Sequence, residues 1–159
     1  MHDFDFLLGQ WDVENQRLTR RLQGSDDWET FNAIQSNQAL PAGIGNYDDF
    51  IAADWRPGFV GLSLRLFNPQ TQFWSIYWLD NRSGGLQADG LLQPPVVGQF
   101  ADGVGIFEGG DMLDERPIRV RYTWRDVDTA TPSWEQSMSA DAGLHWEVNW
   151  RMRFRRRAA

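Results

Sequence analysis

The stretch Trp146-Glu147-Val148-Asn149-Trp150-Arg151-Met152-Arg153-Phe154-Arg155-Arg156 alternates apolar and polar side chains almost without a break. Successive side chains on an extended strand point to opposite faces, so Trp146, Val148, Trp150, Met152 and Phe154 share one face and the charged residues take the other. Outward from this segment the same period of two recurs in Ile118, Val120, Tyr122 and Trp124, in Trp74, Ile76 and Trp78, and in Leu62, Leu64 and Leu66. Each of these rows is expected to point inward, while Arg119, Arg121, Arg125, Glu135, Glu147, Arg151 and Arg153 read as an exterior laced with ion pairs. No apolar stripe at i, i+3, i+4 and i+7 lasts more than a turn or two, so the chain reads as all-β.

Strands are expected over 10–22, 28–40, 44–52, 59–67, 72–79, 96–101, 104–108, 117–127, 133–139 and 146–156. Turn signals separate them, among them Gly24-Ser25-Asp26-Asp27, Arg56-Pro57-Gly58, Asn68-Pro69-Gln70 and Asp102-Gly103. Short links between consecutive strands favour an antiparallel meander, and about ten such strands are enough to close an up-and-down β-barrel. A β-sandwich is the alternative. The irregular stretch 80–95, with Gly84-Gly85, Gly90 and Pro94-Pro95, reads equally as a binding loop or as plain surface.

Composition narrows the chemistry. At 159 residues the chain suits one domain spanning 1–159, and 42% hydrophobic with 14% aromatic residues is far from the profile of disorder. There is no cysteine, which excludes disulfides, thiolate catalysis and cysteine metal sites, and all 15 cationic side chains are arginine, which excludes a Schiff-base lysine. A net charge of −7 argues against a nucleic-acid partner. No apolar run approaches membrane-spanning length, and the acidic start Met1-His2-Asp3-Phe4-Asp5 lacks a secretion signal, so a cytoplasmic location without a membrane partner is expected.

The opening Phe6-Leu7-Leu8-Gly9-Gln10-Trp11 puts a Gly-x-Trp at the start of the first strand and there resembles the calycin superfamily of lipocalins and fatty-acid-binding proteins. That resemblance implies a tryptophan across the closed end of a barrel with a late arginine on its ring, a place that Arg151, Arg153 or Arg155 would fill. Further matches are Gly43-Ile44-Gly45-Asn46-Tyr47-Asp48, Leu64-Arg65-Leu66-Phe67-Asn68-Pro69, Trp74-Ser75-Ile76-Tyr77-Trp78, Trp134-Glu135-Gln136 and Trp146-Glu147-Val148-Asn149-Trp150. In this order they resemble a bacterial lipocalin-like family known as domain of unknown function 1579. The resemblance covers nearly the whole chain and implies a calycin-like barrel with no assigned activity. Where that family is expected to carry a lysine, this chain has His145.

Ser139-Ala140-Asp141-Ala142-Gly143-Leu144-His145-Trp146 fits the Asp-box pattern S-x-D-x-G-x-x-W, read here as a structural hairpin turn because a single copy makes no propeller. Asp141 lacks the companion carboxylates of a calcium cage. His145 is expected to be exposed, with only His2 as a second imidazole, and neither haem nor another metal or cofactor is expected.

More informative are polar residues on inward positions. Asn15 and Arg17 share a face with Trp11 and Val13, Asn46 and Asp48 with Phe50, and Gln136 with Trp134 and Met138. Polar groups buried without partners are costly, so these bond one another or a ligand. An apolar aromatic wall with a few convergent polar groups is the pattern of a ligand pocket. On that reading Trp74, Trp78, Tyr122, Trp124 and Trp150 form the walls, and Asn15, Arg17, Asn46, Asp48 and Gln136 orient a small apolar or aromatic ligand, with Arg17 favouring an anionic group. The same cavity would serve a cofactor-independent isomerase or cyclase with Asp48 as general acid or base and Tyr122 or Arg17 stabilising negative charge. A barrel filled by its own tryptophans, ordered by a buried Arg17–Asp48 pair, is the third reading.

Overall fold

The computed structural model describes residues 1–157. Ten strands follow one another: β1 (Gly9–Leu18), β2 (Trp28–Ala39), β3 (Gly45–Ile51), β4 (Val60–Asn68), β5 (Phe73–Asp80), β6 (Val96–Ala101), β7 (Val104–Leu113), β8 (Arg116–Arg125), β9 (Ser133–Ser139) and β10 (Glu147–Arg156). Each pairs antiparallel with the next, and β10 returns to β1 with Trp11 opposite Arg156 and Arg17 opposite Trp150. The result is a closed antiparallel β-barrel of the calycin/lipocalin type. A short 3-10 turn, Asp5–Leu7, precedes β1. No helix is long and apolar enough to cross a membrane.

Closure leaves one end plugged. Phe4 and Leu7, both fully buried, sit among Trp11, Trp74, Phe107 and Phe154. The Phe4 ring meets Trp74 and Phe100 edge-on at 5.0 Å. Trp11 Nε1 donates to the Leu7 carbonyl at 2.6 Å, which ties the plug to the first strand. Arg156 closes the outside of this end: its guanidinium lies 4.2 Å from the Trp11 ring centroid and donates to the carbonyls of Leu8 and Phe6. The arginine on the tryptophan is therefore Arg156 and none of Arg151, Arg153 or Arg155. Alternation explains it, because Arg156 follows Trp150, Met152 and Phe154 on the inward row, whereas Arg155 faces out and pairs with Glu14. Gly9 makes the clasp possible: its φ is +106°, and a Cβ there would stand 2.6 Å from the Arg156 guanidinium.

Two rows run opposite to expectation. On β4 the inward residues are Gly61, Ser63, Arg65 and Phe67, and Leu62, Leu64 and Leu66 face outward, because Asp48 opposite Ser63 and Asn46 opposite Arg65 are themselves buried and require a cation. On β10 the register slips between Val148 and Trp150, with Asn149 as the extra residue. The bulge puts Trp146 and Val148 on the outer face, where Arg121 stacks on the Trp146 ring at 3.9 Å, and returns Trp150 to the interior. Glu147 leaves the exterior row for the same reason and accepts the Leu22 N–H at 2.6 Å. Of the other outer charges, Arg119 and Arg121 pair with Glu108, and Arg125 and Arg151 with Glu135, while Arg153 forms no ion pair among the described residues.

Strand lengths differ at two places. β1 ends at Leu18, before the turn in which Leu22 has a positive φ of 55°. β7 continues through Gly109 and Gly110 to Leu113 and turns on Asp114 and Glu115, both at positive φ, a two-residue hairpin hidden in the sequence by the lack of glycine or asparagine at the turn.

Replacing Arg156 by alanine removes a stacked cation and two charged hydrogen bonds, so urea unfolding is expected to show a loss of about 2–3 kcal/mol. Arg155→Ala, which removes only an exposed ion pair, should cost about 0.5 kcal/mol or less. Equal losses would show that the clasp does not close the barrel.

Candidate functional site

A cavity of about 870 Å³ occupies the barrel above the aromatic plug. Its mouth lies at the end opposite the plug, where β1, β3, β5, β7 and β9 finish. There it is bordered by Arg17 and Arg21, by Trp55, Arg56 and Phe59 of the link between β3 and β4, and by Asp80, Ser83, Gln87 and Gln93 around the link between β5 and β6. That second link is the irregular stretch 80–95; it borders the mouth and is held in shape by the Leu86–Leu92 bridge and the Gln93 N–H to Gly85 carbonyl bond.

Of the residues singled out in sequence, Arg17, Asp48, Trp78, Tyr122, Trp124, Gln136 and Trp150 line this cavity. Asn15, Asn46 and Trp74 do not. Asn15 accepts from Trp150 Nε1 at 3.0 Å and fixes that indole from behind. Asn46 accepts from Arg65 at 3.0 Å. Trp74 belongs to the plug, and its Nε1 donates to Asp3 at 2.9 Å, which together with the N-terminal charge holds the Asp3 carboxyl below its ordinary value against the upward pull of burial.

The floor on the β3–β4 side is an ion pair. Arg65 Nη2 meets Asp48 Oδ2 at 2.5 Å, with side-chain exposures of 4% and 0%, and the Ser63 N–H donates to the second Asp48 oxygen at 3.2 Å. The Arg17–Asp48 pair of the filled-barrel reading does not form. Arg17 sits nearer the mouth and bonds Glu29 at 3.1 Å. Its guanidinium lies beside two indoles, 5.3 Å from the Trp55 ring and 5.4 Å from the Trp150 ring. Burial first, then the neighbouring charges of Arg21 and Arg56, pull the Arg17 pKa below its ordinary value, while Glu29 opposes them.

The walls are aromatic. Trp55 stacks parallel on Phe31 at 4.4 Å, and Arg56 covers the Trp55 ring at 4.0 Å. Phe50 packs edge-on against Trp78 and Trp150. Gly61 leaves the room that the Trp78 indole fills, since a Cβ there would stand 2.3 Å from the ring. Tyr122 meets Trp134 at 5.0 Å, and burial, with the Asp111 charge adding to it, drives the phenol well above its ordinary value, so it lines the cavity as a neutral hydroxyl.

Three buried polar atoms on cavity-lining side chains have no hydrogen-bond partner among the described residues: Arg17 Nε, Arg65 Nε and Gln35 Oε1. Gln35 and Arg65 are only 4% and 3% exposed, so these atoms are turned away from bulk water. Sequence reasoning missed Gln35, Arg65, Trp55 and Arg56. The first was legible, because Gln35 alternates with the inward Phe31 and Ala33. Trp55 and Arg56 lie in a link, where no period assigns a face.

His145 lies on the turn between β9 and β10, away from the cavity, with its side chain 91% exposed and Nδ1 at 2.7 Å from Asp141. The turn is a closed hydrogen-bond set: Ser139 Oγ donates to Asp141, the His145 N–H donates to the same carboxylate, and Trp146 Nε1 donates to the Gly143 carbonyl. Among the described residues no group of three or more His, Cys, Asp or Glu side chains is placed to hold a metal ion. No protein-family model and no curated protein matches the chain.

Two outcomes follow from this geometry. Asp48→Asn or Arg65→Met each leaves a buried charge alone, and each should lower unfolding stability by about 3–5 kcal/mol, with the double variant losing much less than the sum. Additive losses would show that the two residues do not act as a pair. In the Asp-box turn, the His145 N–H, the His145 ring and the Ser139 hydroxyl hold Asp141 far below the usual carboxylate range. A depressed folded value adds stability above the unfolded value and loses it as the pH falls through the folded one. Lowering the pH from about 5 to about 3 should therefore leave the Gly143 and His145 amide resonances in place, with movement only further down. Displacement of both near pH 4 would show that the carboxylate is not held by the turn.

Proposed function

We propose that this barrel is a small-molecule binding protein that encloses a largely aromatic ligand carrying an anionic group. The observation that carries the reading is the cavity of about 870 Å³, within the range of small-molecule sites, walled by indoles and open at one end. An interior filled by its own tryptophans would leave no such space. The anionic end belongs at the mouth, where Arg17, Arg21 and Arg56 gather on one rim of a molecule whose net charge is −7. Arg17 packs beside two indoles and bonds Glu29, which restricts its side chain before a ligand arrives, and its Nε is a donor without a partner among the described residues.

Deeper in, Arg65 is neutralised by Asp48 and offers one remaining donor, while Gln35 offers one acceptor. A hydroxyl or an amide on the ligand is the kind of group that satisfies either one. The occupied Asp48 carboxylate favours binding over isomerase or cyclase chemistry, because a general base needs a free oxygen aimed at substrate, and here Arg65 and the Ser63 N–H take both. The sequence motifs together with the closed barrel support placing the chain, as one lipocalin-like domain over 1–159, with the bacterial family of domain of unknown function 1579.

An anilinonaphthalene sulfonate probe should quench tryptophan emission saturably, and Arg17→Met should weaken its binding by about ten- to a hundredfold through loss of a charged hydrogen bond. Native mass spectrometry of freshly purified protein should show a retained small molecule. No saturable binding across a broad aromatic and aliphatic ligand screen, with the fold intact, would overturn the reading.

A further inference from the structure

The outward face of β3, β4 and β5 carries an apolar surface that the ligand cavity does not use. Leu62, Leu64 and Leu66 form its central row, flanked by Tyr47 opposite Leu64 on one side and Tyr77 on the other. Leu79 faces Leu62, and Ile51 faces Val60, with Ile51 and Val60 40% and 38% exposed. Among the outward positions of these three strands Asp49 is the only charged side chain, and its carboxylate already accepts the Ser36 N–H at 2.8 Å. The opposite wall differs completely. There β8, β9 and β10 present Arg119, Arg121, Arg125, Glu135 and Arg155, all of them in ion pairs.

We infer that this face is the contact surface of a twofold homodimer, in which the β3–β5 sheets of two copies pack back to back around Leu64. Its size is sufficient. With flanking Ile34 on β2 and Val97 on β6 it spans five strands about 4.8 Å apart and about seven residues of strand length, roughly 24 by 22 Å. With the central row half-buried, that footprint is about 530 Å² per copy, and pairing two buries roughly 1,060 Å², just above the total of about 1,000 Å² that a specific interface must clear.

A second copy is the occupant that this chemistry selects. The face's one charge, Asp49, is already bonded to the Ser36 N–H, which leaves little with which to choose a partner of defined sign, and an apolar sheet surface is complementary to itself when two twisted sheets pack face to face at about 30°. The barrel is closed, so no strand edge competes as the route of association. The face also lies on the side of the barrel, parallel to its axis, and the mouth bordered by Arg17 and Trp55 stays open in the dimer.

Sedimentation equilibrium of the whole chain at micromolar concentration tests this. The expected result is a dimer that strengthens as salt rises, because screening relieves repulsion between two copies of charge −7 while the apolar contact is indifferent to it. Leu64→Arg should weaken self-association by about thirtyfold or more, and Gln16→Arg, the same change of charge on β1 outside the face, should leave it unchanged. Because the chain has no cysteine, Leu64→Cys supplies a second readout with a smaller side chain: a short bifunctional maleimide should link two chains through it, and Gln16→Cys should give no linked pair. A monomer at every concentration and salt overturns the inference. So does a dimer that Leu64→Arg leaves intact, or cross-linking that is equal at the two positions.

Discussion

The Arg156 guanidinium lies over the Trp11 indole where the last strand meets the first, and its hydrogen bonds run to the two carbonyls just before that strand begins. An antiparallel sheet of ten strands has no edges only if this seam holds, and the seam is where the chain's two ends must find each other across its whole length. The clasp also decides which end is sealed. Because the carbonyls it grips belong to Phe6 and Leu8, the segment before β1 is drawn beneath the barrel, and Phe4 and Leu7 enter as the plug. With one end filled by aromatic rings, the space above remains hollow, since inward side chains from ten strands do not reach across the whole interior.

Period-two alternation was legible in the sequence nearly everywhere, and with it the number of strands and their order around the barrel. What alternation does not state is which of its two faces is inside. On β8 the apolar set is inward, as hydrophobicity suggests. On β4 the same criterion picks Leu62, Leu64 and Leu66, yet Arg65 is inside, because the neighbouring strand had already committed Asn46 and Asp48 to the interior. The information sits between strands, in register, and a single strand read alone does not contain it. The bulge at Asn149 is a local version of the same difficulty: one extra residue reverses the face of Trp146 and Val148 without disturbing the apparent alternation.

The candidate site divides along the same line. Residues whose strands kept their period, such as Trp78, Tyr122, Trp124 and Gln136, line the cavity, and so does Trp150, which stands beyond the bulge. Asn15 and Asn46 are inward but stand one layer back, each spent on orienting a neighbour, and nothing in spacing separates a lining residue from one that supports it. The two inward arginines also differ in a way that sequence does not record. Arg65 has a carboxylate at 2.5 Å and almost no exposure, so its charge is cancelled within the wall. Arg17 shares its charge with a partly exposed Glu29 and has Arg21 and Arg56 beside it, so net positive potential collects at the mouth. Position along the barrel axis, from plug to rim, sets this contrast.

The polar interior and the apolar exterior of the β3–β5 wall are one consequence of β4 lying the way it does. Strand residues alternate strictly, so a strand that sends Ser63 and Arg65 inward to complete the Asp48 pair must send the residues between them outward. Had those been charged, as on β1 and β10, the strand would be polar on both faces and its register poorly specified, free to slip against β3 and β5. Leucines on the outer face give β4 cross-strand partners in Tyr47, Tyr77 and Leu79, and so a reason to hold the one register that brings Arg65 to Asp48. The apolar exterior thus anchors the polar floor of the cavity from behind.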